Sequence, residues 1–272
     1  MLIDTHSHLN FSAFKEDWKK IIQKCLKEDI WIINVGTKYE TSKRAVEIAK
    51  EFEKGVYCAV GLHPIHLETG LVKIKDDIQE IEFKRKEEDF DYQKYKKLAQ
   101  NEKVVAIGEI GLDYYYRPKT KKKLKEFKEK QKEVLLKQIE LAKELNLPII
   151  FHCRFSHPDL IDILKKVKVK KGVIHCFTGT LKEAKEYLKM GLFLGFNGII
   201  FKRDLKEVIE KTPLDKILIE TDCPYLTPPQ IEGKNTPFGV KYVAQKIAQI
   251  KGISFEEVAE ITTKNARELF NL

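Results

Sequence analysis

Apolar residues in this chain come in short runs, and each run is followed by a longer stretch in which apolar and charged positions recur at helical spacing. The runs are MLIDTH, WIINVG, VYCAVG, VVAIGE, PIIFHC, GVIHCF, LFLGFNG and ILIETD. Runs this short and this continuously apolar suit strands buried on both faces, as in a parallel sheet. The stretches between them predict helices at 13–28, 40–54, 119–146, 157–168, 181–190, 204–210, 238–250 and 254–270. Thr41 and Thr180 are cap-like residues at helix starts, and Gly191 and Gly252 suit helix ends. Eight strands alternating with helices predict a (β/α)8 barrel, an α/β fold of TIM-barrel type. An open doubly wound sheet is the alternative, but no G-x-G-x-x-G follows any strand. From 69 to 101 charge is dense and the helical period weak, which predicts a surface crossover of one long helix or two, or else a lid or substrate-contacting arm.

Length and composition narrow the picture. A chain of 272 residues is ordinary for one barrel, so a single domain over 1–272 is expected. With 43% hydrophobic and 33% charged residues, it has too much core material to be a disordered chain. No apolar run approaches the ~20 residues that span a bilayer, and the start lacks the pattern of a secretory leader, so a cytoplasmic protein is expected. Cys25, Cys58, Cys153, Cys176 and Cys223 are odd in number and widely spaced, which argues against a disulfide framework. A net charge of +9 draws polyanions such as nucleic acids, and the abundance of Lys and Glu resembles hyperthermophile usage.

Barrel chemistry gathers where strands end, because there the loops converge on one mouth. His6 and His8 end the first run, Glu109 the fourth, His152 the fifth, His175 the sixth and Asp222 the eighth. Asp4, His6 and His8 are spaced by two and so face one side of an extended strand, which is expected to be the barrel interior. An H-x-H pair alone is often a surface or hydrogen-bonded pair. Metal coordination, however, accounts for all six of His6, His8, Glu109, His152, His175 and Asp222 at once. Imidazoles and carboxylates without thiolate suit zinc, manganese or magnesium. Six ligands exceed one tetrahedral ion and argue for two ions, with Glu109 the natural bridge between them. The glycines of GEIG are expected to let the chain turn sharply there. Cys153, Cys176 and Cys223 each come one residue after a proposed ligand and are expected to point outward into packing.

With H-x-H, GLHPIH, GEIGLDYYY, HCR, IHCFTG, ETDCPYLTPP and NTP in this order from Ile3 to Phe270, the chain resembles the TatD family of metal-dependent deoxyribonucleases. The resemblance implies an amidohydrolase-like barrel that hydrolyses DNA phosphodiesters, with a 3′-5′ exonuclease reaction driven by attack of a metal-bound hydroxide. It implies that His6 and His8 hold one ion and His152 and His175 another, with Glu109 between. Asp222 would complete the first site and act with Glu109 in catalysis by orienting or deprotonating water. His63, His66 and Arg154 are implied as phosphate contacts, an ion pair with a carboxylate being the other reading of Arg154. Tyr114, Tyr115 and Tyr116 are candidates to stack on a base, packing beneath the next loop being the other reading. Asn235 is expected to cap its loop, contact with substrate being the other reading. DNA is then the partner, with no membrane and no obligate protein partner. Two departures stand out: FSHPD follows HCR and inserts His157, a loop or cap residue on this reading, and Cys223 follows ETD. An amidohydrolase acting on C–N or ester bonds is the alternative, but many of those bridge their ions with a lysine, and VVAIGEIG offers Glu109 instead.

Overall fold

The computed structural model describes residues 1–67 and 89–272, so most of the charged stretch from 69 to 101 lies outside the described residues. Eight strands pair in parallel in chain order: β1 (Leu2–Ser7), β2 (Ile30–Val35), β3 (Val56–Val60), β4 (Val104–Asp113), β5 (Ile149–Arg154), β6 (Gly172–Ile174), β7 (Phe193–Phe196) and β8 (Ile217–Ile219). The ends meet through a parallel bridge between Ser7 and Cys223, beside hydrogen bonds from Asp222 N–H to the His6 carbonyl and from His8 N–H to the Cys223 carbonyl. The sheet is thus rolled into the (β/α)8 barrel that the alternation predicts.

Around it lie α1 (Trp18–Lys27), α2 (Tyr39–Lys50), α3 (Tyr92–Ala99), α4 (Lys121–Glu144), α5 (His157–Val167), α6 (Leu181–Lys189), α7 (Lys206–Lys211), α8 (Val240–Lys251) and α9 (Phe255–Phe270). The first helix expected at 13–28 is split, a 3-10 turn over Ser12–Phe14 preceding α1. The Thr180 capping box opens α6, and Gly252 closes α8 in the left-handed conformation.

Strand alternation divides the core in two. Along β2, Trp31, Ile33 and Val35 join an inner cluster with Ile3, Ala59, Val105, Ile150, Val173 and Leu218, while Ile30 and Ile32 pack outward against the helices. Ala266, Leu269 and Phe270 of α9 belong to the inner cluster with Trp31 and Phe193, so this helix closes the end where the strands begin. Polar groups are left to the opposite end. Truncating an inner residue such as Ile33 to Ala is expected to cost about 2–5 kcal/mol.

Two strands depart from simple alternation. Ile3, not Asp4, belongs to the inner cluster, and the register of β1 on β2 shifts between Asp4 and Ser7. The expectation that Asp4 shares a face with His6 and His8 is therefore corrected: its carboxylate accepts from Thr221 N–H and Oγ1 at 2.8 and 2.6 Å and ties β1 to the end of β8. Likewise β4 does not turn at Glu109 but runs on to Asp113, with a register shift against β5 between Gly108 and Ile110. The glycines serve close approach: a Cβ on Gly111 would stand 1.9 Å from the His152 carbonyl oxygen. Among the described residues, no helix is long and apolar enough to cross a membrane.

Candidate metal centre

The carboxyl ends of the strands enclose a cavity of about 730 Å³ whose lining includes His8, His63, Glu109, His152, His175 and Asp222. His6 lies behind them, fully buried, with its Nε2 3.2 Å from His8 Nε2 and 3.5 Å from Glu109 Oε2. Residues from the first and sixth strand ends stack here, the His6 and His175 rings lying 3.5 Å apart. The structure thus brings all six expected ligands to one place.

Their tautomers and charges follow from their neighbours. His8 Nδ1 lies 2.8 Å from the Val35 carbonyl, which can only accept, so a neutral ring carries its proton there and presents Nε2 as a lone pair. That lone pair looks at Asp222 Oδ1 from 3.3 Å, an arrangement that repels unless a cation or proton sits between. Burial, then the neighbouring His175, lowers the pKa of His6 and keeps its ring neutral. His175 behaves oppositely: burial opposes its charge, but Glu220, Glu109 and Asp222 outweigh burial and raise it to about 10. Burial also works against ionised Glu109 and Asp222, yet the surrounding histidines hold both below the usual carboxylate range. An excess of buried donors with acidic partners is the chemistry of a cation site. His6, His8 and Asp222 offer donor atoms all within 4.8 Å of one another, as do His63, Asp113 and His152.

Two carboxylates that the sequence did not single out, Glu220 and Asp113, support these donors. Glu220 Oε1 lies 2.8 Å from His175 Nδ1 and also accepts from the Cys176 N–H and from Asn197 Nδ2. A carboxylate behind the imidazole fixes the ring and points Nε2 at the cavity. A Cβ on Gly195 would lie 2.6 Å from Glu220 Oε2, so glycine makes room for that carboxylate. Asp113 Oδ2 receives His152 Nε2 at 3.0 Å and Arg154 Nε at 2.8 Å, while His152 Nδ1 lies 2.6 Å from Glu109 Oε1. Burial would raise Asp113, but His152 and Arg154 bring it down to about 2. Glu220 stands two residues before Asp222 and Asp113 four after Glu109, and that spacing was the available signal.

Among the expected substrate contacts, His63 and Arg154 line the cavity. The Ile65 N–H donates to His63 Nδ1, leaving the neutral ring's proton on Nε2, 3.5 Å from Glu109 Oε1; burial, then His152, lowers its pKa to about 4. Two expectations are corrected. His66 is fully buried with Nε2 3.2 Å from Thr37 Oγ1, because the 3-10 turn at Pro64–His66 folds it inward. Tyr114 is buried at 3% exposure and donates to Asp159 Oδ2 at 2.9 Å, so it packs under the loop and Tyr115 takes the rim instead.

The cysteine expectation divides in the same way. Cys223 packs outward in the core, as does Cys153, which also touches the cavity lining beside His157; Cys176 turns into the cavity, since its left-handed backbone (φ 46°) takes it off the strand alternation. His157 is the first residue of α5, buried with Nδ1 3.0 Å from the Tyr187 hydroxyl, consistent with a helix-start residue outside the ligand groups. Asn235 staples its loop by donating to the carbonyls of Thr221 and Tyr225.

Comparison with known proteins agrees with this geometry. Residues 3–271 match the family described as TatD related DNase. The chain is 43% identical to the uncharacterized metal-dependent hydrolase YabD of Bacillus subtilis, over all of both chains. It is 30% identical to the 3'-5' ssDNA/RNA exonuclease TatD of Erwinia tasmaniensis, again over all of both. Among solved structures, YjjV, a TatD homolog from Escherichia coli, superposes with a TM-score of 0.82 at 30% identity, covering 100% of this chain and 98% of that one.

Proposed function

The chain belongs to the TatD-related DNase family and is a metal-dependent hydrolase, and we propose that its reaction is hydrolysis of DNA phosphodiester bonds from a 3′ end. One observation carries this reading: six nitrogen and carboxylate donors converge at the mouth, and the His8 lone pair and the Asp222 carboxylate face each other across 3.3 Å. His6, His8 and Asp222 would hold one divalent ion and His152 and His175 a second, with Glu109 shared. Magnesium, manganese and zinc all suit such donors. When bound, such ions activate water and neutralise charge on phosphoryl oxygens.

The chain's own groups supply the rest. Asp222, its side chain 16% exposed and its carboxyl held ionised by His175, is placed to accept a proton from water entering the cavity. His63, neutral with a proton on Nε2, donates to a phosphate oxygen. Arg154 is oriented by Asp113 so that the rest of its guanidinium is left to the phosphate backbone, and Lys202 and Arg203 bring further positive charge to the lining. Glu220 and Asp113 hold His175 and His152 in place. All five cysteines are free, which suits a reducing compartment, and we place the protein in the cytoplasm.

The test is incubation of metal-loaded protein with 5′-labelled single-stranded DNA, with and without chelator, beside Asp222→Ala. Stepwise shortening from the 3′ end is expected, abolished by chelation and slowed about 10²–10⁴-fold in the variant, the range for loss of a proton-transfer group. Cleavage that survives chelation, or a variant at full rate, overturns the reading.

A further inference from the structure

Phe155 and Tyr115 are 59% and 53% exposed, the two most exposed large apolar side chains among the described residues. They are not scattered: their rings stack with centroids 5.8 Å apart and planes 23° from parallel, and both line the mouth cavity. Phe155 also sits at φ 58°, a left-handed backbone that an aromatic residue adopts at a cost. Among the described residues, none rewards that conformation by burying the ring. Flanking bonds hold it there, from Tyr114 N–H to the Arg154 carbonyl and from Ser156 Oγ to the Leu112 carbonyl. A strained, solvent-facing aromatic beside a reaction centre points to something that binds it.

The shelf is tied to the metal donors through one carboxylate. Tyr115 N–H donates to Asp113 Oδ1 at 2.9 Å, while Asp113 Oδ2 holds His152 and Arg154. The Arg154 guanidinium carbon lies 4.5 Å from the Tyr115 ring centroid. An aromatic pair with a cation over the Tyr115 ring and an exposed Phe155 ring beside it, next to a site that handles phosphate, matches a nucleobase on its sugar-phosphate. Lys202 and Arg203 reach the same cavity from the turn after β7 and complement the backbone charge.

We propose that Tyr115 and Phe155 form a base-stacking shelf that positions the nucleotide beside the scissile phosphate, so that the enzyme selects strands with an unpaired base there over strands with an abasic residue. The proposal rests on the nuclease reading and deepens it. Both side chains are positioning residues, and their loss weakens substrate binding more than turnover.

The experiment uses metal-loaded protein and a single-stranded oligonucleotide carrying 2-aminopurine at its 3′ end, with a phosphorothioate at the last linkage to slow cleavage. Stacking on the shelf quenches the 2-aminopurine fluorescence. Wild type is expected to quench, Phe155→Ala and Phe155→Leu to quench weakly, and Phe155→Trp to restore it. In steady-state cleavage, KM for an ordinary oligonucleotide should rise about tenfold in Phe155→Ala with a smaller change in kcat, the size expected for losing one stacked base. For an oligonucleotide with a terminal abasic residue, wild type and variant should share one KM. If wild type cleaves DNA but Phe155→Ala matches it in quenching and in KM, the shelf is overturned and the nuclease reading stands. If wild type neither binds nor cleaves the oligonucleotide, both fall.

Discussion

On the β1/β8 side of the mouth His8 directs a lone pair at the Asp222 carboxylate, and His6 Nδ1 is buried without a hydrogen-bond partner. On the β4/β5 side both nitrogens of His152 already face carboxylates, Glu109 and Asp113, and Arg154 neutralises part of that charge. The first side has acceptors pointed at acceptors, and a cation or a proton between them reconciles them. The second is internally satisfied, so an ion there displaces an existing contact. On the two-ion reading, one donor set would hold a demanding site beside a permissive one. Tighter binding is expected on the β1/β8 side.

The largest predicted effect breaks the demanding side. His8→Ala should lose one ion by elemental analysis and lower kcat/KM about 10³-fold or more, since the variant forfeits water activation at that ion. His152→Ala should lose the second ion while the first remains. Equal affinities at the two sites in a metal titration would sink the comparison.

Next come the supporting carboxylates. Asp113→Asn and Glu220→Gln are each predicted to reduce metal affinity or activity about 10–100-fold, the usual consequence of loosening a ligand's outer partner. Asp113→Asn should affect only the weaker site, whereas Glu220→Gln should act through His175. Unchanged affinity in both variants would show that the imidazoles hold their orientation unaided.

A pH measurement on metal-stripped protein sharpens the point further. His175 is raised from its ordinary 6.5 to about 10, burial opposing and Glu220, Glu109 and Asp222 prevailing. A raised folded pKa gives stability that is complete below the unfolded value and lost as pH climbs through the folded one. The melting temperature of stripped protein should therefore fall between pH 7 and about 10, less steeply in Glu220→Gln. Metal-loaded protein should lack this slope, because a cation takes the place of the proton. A flat profile in stripped protein would contradict the assigned charge.

The smallest effect separates shelf from packing. Tyr114→Phe removes the hydrogen bond to Asp159 and is predicted to cost about 1 kcal/mol of stability in a denaturant titration, with KM for DNA unchanged. A KM change as large as that expected for Phe155→Ala would return Tyr114 to the substrate.

Much of this was legible in the chain. The eight apolar runs correspond to the eight strands, since burial on both faces demands near-continuous apolar residues. The six donors stood out because an ionisable group ending such a run is costly without a partner. Legibility failed at residues whose direction depends on a register shift or a left-handed residue. Asp4 left the histidine face at a shift in β1, Cys176 turned into the cavity at φ 46°, and β4 ran past Glu109 to deliver Asp113. His66 turned inward and only the packing reading of Tyr114 survived, because exposure is set by what packs above a side chain, and that comes from distant sequence.

By itself, then, the sequence determined the alternating elements, the barrel they form and the residue types at its mouth, because hydrophobic period and the expense of burying charge are local properties of the chain. Only the tertiary structure decided which donors face one another, which are held by Glu220 and Asp113, and that Phe155 and Tyr115 meet at the rim. Those are relations between strand ends far apart in the chain, set by register and closure to within an ångström, and no local pattern encodes a distance of that kind.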